Sequence, residues 1–460
     1  MASTYIYNSN PTAGNRTKGT ISVWFKRSGI SSSQYLYSER YNNNNMGFIE
    51  LKSNDQLNFQ SLDGGNTQVQ IQTNRVFRDT NSWYHLVAAW DTTNSTVADR
   101  VKIYINGVRE TSFAVNSPPN TSISLYFGVG SSNYPMYIGR RGDDANYFDG
   151  SMSHFHRVDN QQLAQTVFGS SDSTTGEWKI NISPSITYTG SSSFNFFILK
   201  DGNSVTDQSG QSNNLTVGGG TLTKTEDCPS NVFATLNPLQ EPFASQTAEF
   251  SFGNTKVSGN DADWQRAYGT IGAKQGKWFY EFKNLQDDGY TSQCRIGWDS
   301  IDNINDGIDN YYSGLYIDRA GKLRGGIKGY NGYSPNAVQM TAAYSGGNFS
   351  FTANDILGMA IDLDNETFSV YKNGNLEINA YSYAGVSNNS LSKSRGFFIA
   401  PSYNWYSSSG NNNRSCFNFG NGYFETTAIS SAGTNASGIG LFEYDVPANY
   451  TAWSTKGLNL

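Results

Sequence analysis

The sequence contains few charged residues and few cysteines, and each shortage excludes a class of protein. Charged side chains make up only 15% of the chain, and the scattered Lys and Arg at a net charge of −6 form no basic stripe for nucleic acid. The 3 cysteines lie far apart without a C-x-x-C pair, so neither a disulfide framework nor a zinc site is indicated. No apolar run reaches about 18 residues, which excludes a membrane-spanning helix.

Aromatic residues and glycine are plentiful instead. Phe, Trp and Tyr make up 14% of the 460 residues, and 47 Gly outnumber 11 Pro. A disordered chain has few aromatics and a high net charge, and a helical bundle is rich in Ala, Glu, Lys and Leu, so both are excluded. The length predicts more than one domain. The composition is typical of an all-β protein with many turns.

The first third of the chain has the alternation of short strands. In residues 19–27, Ile21, Val23 and Phe25 fall on one face, which is a period of two. A later apolar run ends in Asn106-Gly107, the strongest short hairpin signal, because a type I′ turn needs positive φ at both central residues. Residues 159–168 are the one predicted helix here. Many short strands with turn signals at this spacing predict a β-sandwich.

The strand pattern pauses and then restarts, which predicts two domains. Between 170 and 245 the chain is rich in Ser, Thr, Gly and Asn, but the apolar run 194–199 predicts a strand that returns to the first sandwich. Residues 227–239 are predicted to be an extended crossing segment. The prediction is all-β, with two antiparallel sandwiches of the jelly-roll type and an ordered linker. Its parts are a first sandwich at 1–170, a returning strand and linker at 171–245, a second sandwich at 246–425 and a tail at 426–460.

Five motifs in the second half resemble the successive strands of a SPRY (B30.2-like) domain. They are GKWFYEFK at 276–283, CRIGW at 294–298, NDILGMAIDLDNETFSVYKNG at 354–374, FFIAPS at 397–402 and CFNFGNGYF at 416–424. The resemblance implies a bent β-sandwich that binds partners through loops at one end and has no catalytic residues. The loop region 300–350 is rich in Asn, Gly and Tyr, so the ligand does not carry over from the family.

Four motifs in the first half resemble a laminin G-like, concanavalin A-type lectin domain. They are WYHLVAAWD at 83–91, VKIYINGV at 101–108, MYIGRRGD at 136–143 and FDGSMSHFHRV at 148–158. Members of this family bind sugars or proteins and often calcium. A third resemblance concerns context: DCPSNVFATLNPL at 227–239 and YDVPANYTAWSTKGLN at 444–459 look like segments of structural proteins of marine tailed bacteriophages.

No enzyme is predicted. Retaining glycosidases need two carboxyl groups about 5 Å apart. The best acid pair is Asp362 and Asp364, and Asp364-Asn365 is typical of a turn, so the structural interpretation is preferred.

No cofactor is predicted, although two metal hypotheses stay open. His154 and His156 would share a strand face and could bind a metal, against the alternative of two surface histidines. A calcium ion could be held by oxygen atoms at Asp143, Asp144 and Asp149, or in the acidic loop of Asp299, Asp302, Asp306 and Asp309, against the alternative of a solvated loop.

Aromatic residues in loops rich in Asn, Ser and Gly are the predicted ligand contacts. Sugar rings stack on aromatic faces while amides bind their hydroxyls, and the same mixture serves adaptable protein-binding loops. The alternative is that these rings pack onto their own sandwich or against a neighbouring subunit. The residues are Tyr311, Tyr312, Tyr330, Tyr333, Trp405 and Tyr406.

The sequence and its resemblances together predict a non-enzymatic structural protein of a bacteriophage virion. We expect an exposed appendage (a fibre, spike or head decoration) that binds host surface glycan or protein. Its expected partners are other virion proteins and further copies of itself, with no nucleic acid and no membrane insertion. Two alternatives remain: a protein that cements capsid or tail, and a cellular lectin-like adhesin.

Overall fold

The computed structural model describes residues 3–200, 204–239, 248–259, 264–286, 294–300, 314–321, 323–325, 349–384, 391, 396, 398–406 and 413–459. The chain divides into two units. The first runs to Lys224 and includes Cys228–Ser230, and the second contains Thr225–Asp227 and the chain from Asn231 onward. Among the described residues no helix is long and apolar enough to cross a membrane.

The described part of the first unit contains 16 strands and two short 3₁₀ helices, Val97–Asp99 and Gln165–Val167. The strands are β1 Tyr5–Asn8, β2 Lys18–Arg27, β3 Gln34–Asn42, β4 Asn45–Leu51, β5 Gln56–Asp63, β6 Asn66–Val76, β7 Tyr84–Asp91, β8 Val101–Ile105, β9 Val108–Arg109, β10 Phe113–Ser117, β11 Met136–Ile138, β12 Gly150–Asp159, β13 Gly169–Ser171, β14 Trp178–Ile180, β15 Phe196–Ile198 and β16 Thr216–Gly218.

Two antiparallel sheets pack face to face in this unit. In the described residues one sheet has eight strands in the order β10-β6-β5-β4-β3-β11-β1-β16, and the other has six in the order β15-β12-β2-β7-β8-β9. Ile21 and Phe25 on β2 and Ile49 and Phe59 on the opposing sheet belong to one buried cluster. The alternation predicted for 19–27 is therefore confirmed, since its apolar face forms the core.

Returning strands complete both sheets. β15 pairs with β12, and β16 pairs with β1, so the Ser- and Gly-rich region after 170 contributes strands to the first unit. The predicted helix at 159–168 is wrong. Thr20 Oγ1 donates to the carbonyl of Gln161 and accepts the N–H of Leu163, so this segment lies extended along β2 before one short 3₁₀ turn. Tertiary hydrogen bonds override the local helical pattern.

The described part of the second unit contains 15 strands and the short 3₁₀ helix Gly457–Asn459. The strands are β17 Glu249–Ser251, β18 Lys256–Gly259, β19 Trp264–Tyr268, β20 Lys277–Asn284, β21 Cys294–Ser300, β22 Leu315–Asp318, β23 Leu323–Gly325, β24 Ile356–Asp362, β25 Thr367–Lys372, β26 Asn375–Ser382, β27 Ile399–Tyr406, β28 Asn413–Asn418, β29 Tyr423–Phe424, β30 Thr427–Ala428 and β31 Thr451–Ala452.

These strands form a second sandwich. In the part that the structure describes, one sheet has the order β17-β18-β28-β20-β24-β25-β26, and the other has the order β19-β27-β21-β22-β23. Side chains of both sheets, Tyr280 and Leu357 on one and Ile296 and Tyr403 on the other, share one buried cluster. The predicted all-β class with two antiparallel sandwiches is confirmed.

The residues expected to be a C-terminal tail form part of the second sandwich instead. β31 pairs in parallel with β20, and Trp453 is fully buried against Trp278, with ring centroids 4.8 Å apart. The segment before the sandwich meets the same region, because the N–H of Ala234 donates to the carbonyl of Trp453 at 2.8 Å. Local composition predicted a linker and a tail because the partners of each segment lie more than 170 residues away.

Candidate functional site

Most of the predicted ligand contacts fall outside the described residues. This applies to Tyr311, Tyr312, Tyr330 and Tyr333, which stay predictions. The backbone of Tyr406 ends β27, where it pairs with Trp264, and its side chain is not described.

The loop position predicted for Trp405 is wrong. Trp405 lies inside β27 and is fully buried, and its ring stacks on Tyr403 with centroids 4.9 Å apart. Tyr403 and Trp405 both point into the core, because alternate residues of a strand share a face. A ligand cannot reach this ring while the second sandwich is folded.

Two of the three aspartates considered for calcium in the first unit form ion pairs with arginines. Arg141 Nε donates to Asp143 Oδ1 at 2.7 Å, and Asp144 forms an ion pair with Arg140. The peptide N–H of Asp149 donates to Gln34 Oε1 at 3.3 Å. In the described ranges no group of three or more His, Cys, Asp or Glu side chains is placed to hold a metal ion.

His154 and His156, the two histidines considered for a metal, both lie on β12 in the six-stranded sheet. His156 is 2% exposed, its Nδ1 lies 2.9 Å from the Tyr188 hydroxyl, and its ring stacks on Phe197 at 3.8 Å. His156 is therefore not a surface residue, and His154 is separated from it by a bulge in β12. Burial lowers the pKa of His156 well below its usual value.

Ser22 and His85 lie close together, but their hydrogen bonds have the wrong direction for nucleophilic catalysis. Trp178 Nε1–H donates to His85 Nδ1 at 2.9 Å, so Nδ1 is unprotonated and the proton of the neutral ring is on Nε2. Nε2 lies 2.9 Å from Ser22 Oγ and must donate to it. A general base would have to accept the serine proton at that atom, so this pair is structural.

The described residues do contain an exposed aromatic cluster, at one end of the first sandwich. Three tyrosines and one aspartate from three separate chain segments meet there. We call Tyr41, Asp63, Tyr126 and Tyr134 the tip cluster. Tyr41 is near the end of β3, Asp63 ends β5, and the other two lie in the segment that leads into β11.

The rings of the tip cluster form a continuous surface. The Tyr41 ring is 54% exposed and lies 5.3 Å from the Tyr134 ring, which lies 5.8 Å from the Tyr126 ring. The Tyr126 hydroxyl donates to Asp63 Oδ1 at 3.2 Å. An apolar platform therefore continues into a hydroxyl and a carboxylate, which can bind the polar edge of a ligand.

The segment that carries Tyr126 and Tyr134 is held from inside the sandwich. The N–H of Tyr126 donates to Ser61 Oγ at 2.9 Å, and the buried Glu39 carboxylate accepts the N–H of Gly128 at 2.7 Å. Gly47 lets the segment approach β4, because a Cβ there would lie 2.2 Å from the carbonyl oxygen of Tyr126. These contacts fix the rings in position before any ligand arrives.

The neighbouring turns are also fixed. The N–H of Gly64 donates to Asn45 Oδ1, and the N–H of Gly65 donates to the Asn44 carbonyl, each at 2.9 Å. Partial burial, followed in effect by the nearby Tyr134 and Asp63, raises the pKa of Tyr126 to about 12. Tyr126 therefore keeps its proton at neutral pH and serves as a donor to Asp63.

Sequence reasoning did not find the tip cluster, because its members are up to 93 positions apart, from Tyr41 to Tyr134. One local signal pointed to it. Four asparagines follow Tyr41 directly at 42–45, which is the same aromatic-and-amide composition that directed attention to the loops of the second half.

Residues 2–165 match Laminin_G_3, the concanavalin A-like lectin/glucanases superfamily. A concanavalin A-like lectin domain therefore occupies the N-terminal region, as the motifs there predict. All four residues of the tip cluster lie inside the matched stretch. No curated protein sequence matches the chain.

The solved structures similar to the chain include SPRY domains and a pentraxin. The SPRY domain of human HERC1 is 17% identical, with 40% of this chain and 96% of that chain covered and a TM-score of 0.27. A heptameric SAP-like pentraxin from Limulus polyphemus is 15% identical, with 47% and 89% covered and a TM-score of 0.29. A human SPRY domain is 14% identical, with 37% and 93% covered and a TM-score of 0.23. Likenesses at these TM-scores carry no argument about the ligand.

Proposed function

We propose that the protein is a non-enzymatic attachment protein that binds a saccharide on a target surface through the tip cluster. The observation that carries the proposal is the exposed Tyr41 ring, which continues through Tyr134 and Tyr126 to the Asp63 carboxylate. The apolar face of a sugar ring stacks on an aromatic platform, and its hydroxyls donate to a carboxylate. The proposal needs no catalytic group.

We further propose that the protein is an exposed appendage of a tailed-phage virion and acts there as one of many copies. The support is the resemblance of 227–239 and 444–459 to segments of phage structural proteins. Repetition on one particle would turn weak single contacts into firm attachment, because linked sites bind with a high effective concentration. Its partners would be other virion proteins and further copies of itself, and the predicted loop tyrosines of the second half remain additional candidate contacts.

The saccharide proposal is tested by measuring the full chain on a glycan array and the dissociation constants of the saccharides it binds. Tyr41→Ala removes the exposed platform, and we expect it to weaken binding at least about tenfold, as loss of an aromatic anchor does. Tyr104→Ala is the matched control, because Tyr104 is a half-buried tyrosine in the other sheet. Equal saccharide binding by Tyr41→Ala and the native chain would show that the tip cluster is not the binding site.

The virion assignment needs a separate experiment. Mass spectrometry of purified phage particles should detect the chain as a component, in multiple copies. Its absence from particles would favour the cellular adhesin. Its presence on particles that attach normally when Tyr41 is replaced by alanine would favour the cementing role.

A further inference from the structure

Asp63 presents a carboxylate whose charge is not neutralised by a neighbouring cation. Its side chain is exposed at the end of β5 and accepts one hydrogen bond, from the Tyr126 hydroxyl at 3.2 Å. Within the described residues no Lys, Arg or His forms an ion pair with it. Oδ2 and the remaining lone pair on Oδ1 are therefore available to donors from a ligand.

Two arginines lie near the tip cluster, and both donate hydrogen bonds to acceptors of the protein itself. Arg16 Nε donates to the carbonyl of Leu125 at 2.8 Å, and its guanidinium lies 5.0 Å from the Tyr126 ring centroid. Arg40 donates to Asn43 Oδ1 at 2.9 Å and pairs with Asp143 at 3.3 Å. A ligand that reaches Asp63 thus meets the negative charge of its carboxylate, whereas the cation of Arg16 lies against the Tyr126 ring and is bonded to a backbone carbonyl.

From this arrangement we propose that the tip cluster selects neutral saccharides and discriminates against carboxylated or sulfated ones. The inference rests on the proposed function and names its ligand class. A carboxylate only accepts hydrogen bonds, so two adjacent hydroxyls of a neutral saccharide can donate to Asp63 while the saccharide stacks on the tyrosines of the tip cluster. An anionic group in the same place would face the Asp63 charge, and like charges about 4 Å apart in water cost on the order of fivefold in affinity.

The test compares the full chain with Asp63→Asn on neutral oligosaccharides and on their sialylated and sulfated counterparts. We expect the native chain to bind the neutral form about fivefold or more tightly than its acidic counterpart. Asn keeps the size of the side chain and an acceptor for Tyr126. It should weaken neutral binding roughly tenfold, because hydrogen bonds to a charged group are the stronger ones, and should bring the neutral-to-acidic ratio toward one.

The outcomes separate this inference from the proposed function. Binding that is lost in Tyr41→Ala but shows the same neutral-to-acidic ratio in Asp63→Asn would overturn the selectivity and leave saccharide attachment standing. Native binding that favours acidic sugars would do the same. No binding to any saccharide, or binding indifferent to Tyr41→Ala, would overturn both. Discrimination that shrinks in 1 M NaCl would support the electrostatic cause, because the Debye length there is about 3 Å.

Discussion

The indole Nε1–H of Trp178 donates a hydrogen bond to Nδ1 of His85 across 2.9 Å, which joins the β13–β14 hairpin to the six-stranded sheet. An indole nitrogen cannot accept, so this contact exists only while Nδ1 is unprotonated. The His85 ring also stacks on Trp24, with centroids 4.6 Å apart, and lies nearly parallel to Trp178, with centroids 6.0 Å apart. Burial is the main cause that lowers the pKa of His85 from 6.5 to about 3, with a smaller contribution from His154.

The first unit should lose stability in acid for this reason. Because the pKa of His85 is lower in the folded protein than in the unfolded chain, the folded state binds fewer protons between the two values. The free energy of unfolding should therefore fall as the pH drops from about 6.5 toward 3. The buried His156 should act in the same direction, because burial and then the nearby charges of His154, His85 and Lys200 lower its pKa in the folded protein.

Urea unfolding of the first unit at a series of pH values measures this effect. His85→Gln cannot titrate but retains an acceptor for Trp178 and a donor for Ser22, so its pH dependence should be shallower than that of the native chain. An identical slope in the two proteins would show that His85 does not control the acid response.

Glu281 should contribute the opposite pH dependence to the stability of the second unit. Glu281 is buried on β20 and accepts the N–H groups of Glu443 and Tyr444, each at 2.9 Å, and an amide N–H of Asn418. Burial outweighs these three bonds and raises the pKa of Glu281 from 4.5 to about 7. The folded state then binds more protons at Glu281 than the unfolded chain does, so the contribution of Glu281 to the free energy of unfolding is fully present below pH 4.5 and is lost as the pH rises through 7.

Glu281→Gln isolates this contribution, because glutamine has nearly the same shape and no charge. We expect the unfolding free energy of the second unit to lose its decline between pH 4.5 and 7 in this variant. The measurement is urea unfolding followed by probes in the second unit. A decline that persists unchanged would assign it to another group.

Replacing Trp405 should act mainly on the stability of the second unit. Its side chain is fully buried among Tyr403 and other core residues, so Trp405→Ala should destabilise the second unit by about 3–5 kcal/mol. Phe398→Ala, at a 42% exposed aromatic residue in the same unit, should change stability by less than about 1 kcal/mol. A stable Trp405→Ala variant with weakened ligand binding would return Trp405 to the surface role that its sequence context predicts.

A methyl group added at Gly47 should displace the segment that carries Tyr126 and Tyr134 of the tip cluster. The added Cβ would lie 2.2 Å from the carbonyl oxygen of Tyr126, so the segment bearing Tyr126 and Tyr134 has to move. We expect Gly47→Ala to cost about 1–3 kcal/mol in stability and to weaken saccharide binding. Gly269→Ala, whose Cβ would meet Pro401 at 3.1 Å in the second unit, is the control and should leave binding unchanged. Unaltered binding in Gly47→Ala would mean that the ring positions do not matter.

Local patterns predicted much of the fold. The Asn-Gly signal at 106–107 is confirmed, since both residues have positive φ, at 48° and 78°, and Asn373-Gly374 in the second unit has the same conformation, at 48° and 82°. The helix at 159–168 failed because Thr20, about 140 positions earlier, supplies the hydrogen bonds that hold the segment extended. The buried position of Trp405 could have been predicted from the sequence, because Tyr403 and Trp405 continue the alternation of the apolar run before them. The serine-rich stretch that follows instead gave the segment the composition of a loop.

The site was harder to predict than the fold. Tyr41, Asp63 and Tyr126 become neighbours only when β3, β5 and the segment before β11 meet at one end of the sandwich. No hydrophobic periodicity within one segment indicates that these three residues become neighbours. The positions of the nearby cations also depend on distant partners, because Arg16 donates to the carbonyl of Leu125 and Arg40 pairs with Asp143, each about 100 positions away.

The most direct test of the account is amide hydrogen exchange of the full chain with and without a saccharide that it binds. Saccharide binding at the tip cluster predicts slower exchange at 42–45, 63–66 and 126–134, with little change elsewhere in the first unit. Protection confined to other residues, for example to the second unit alone, would contradict the assignment of the site.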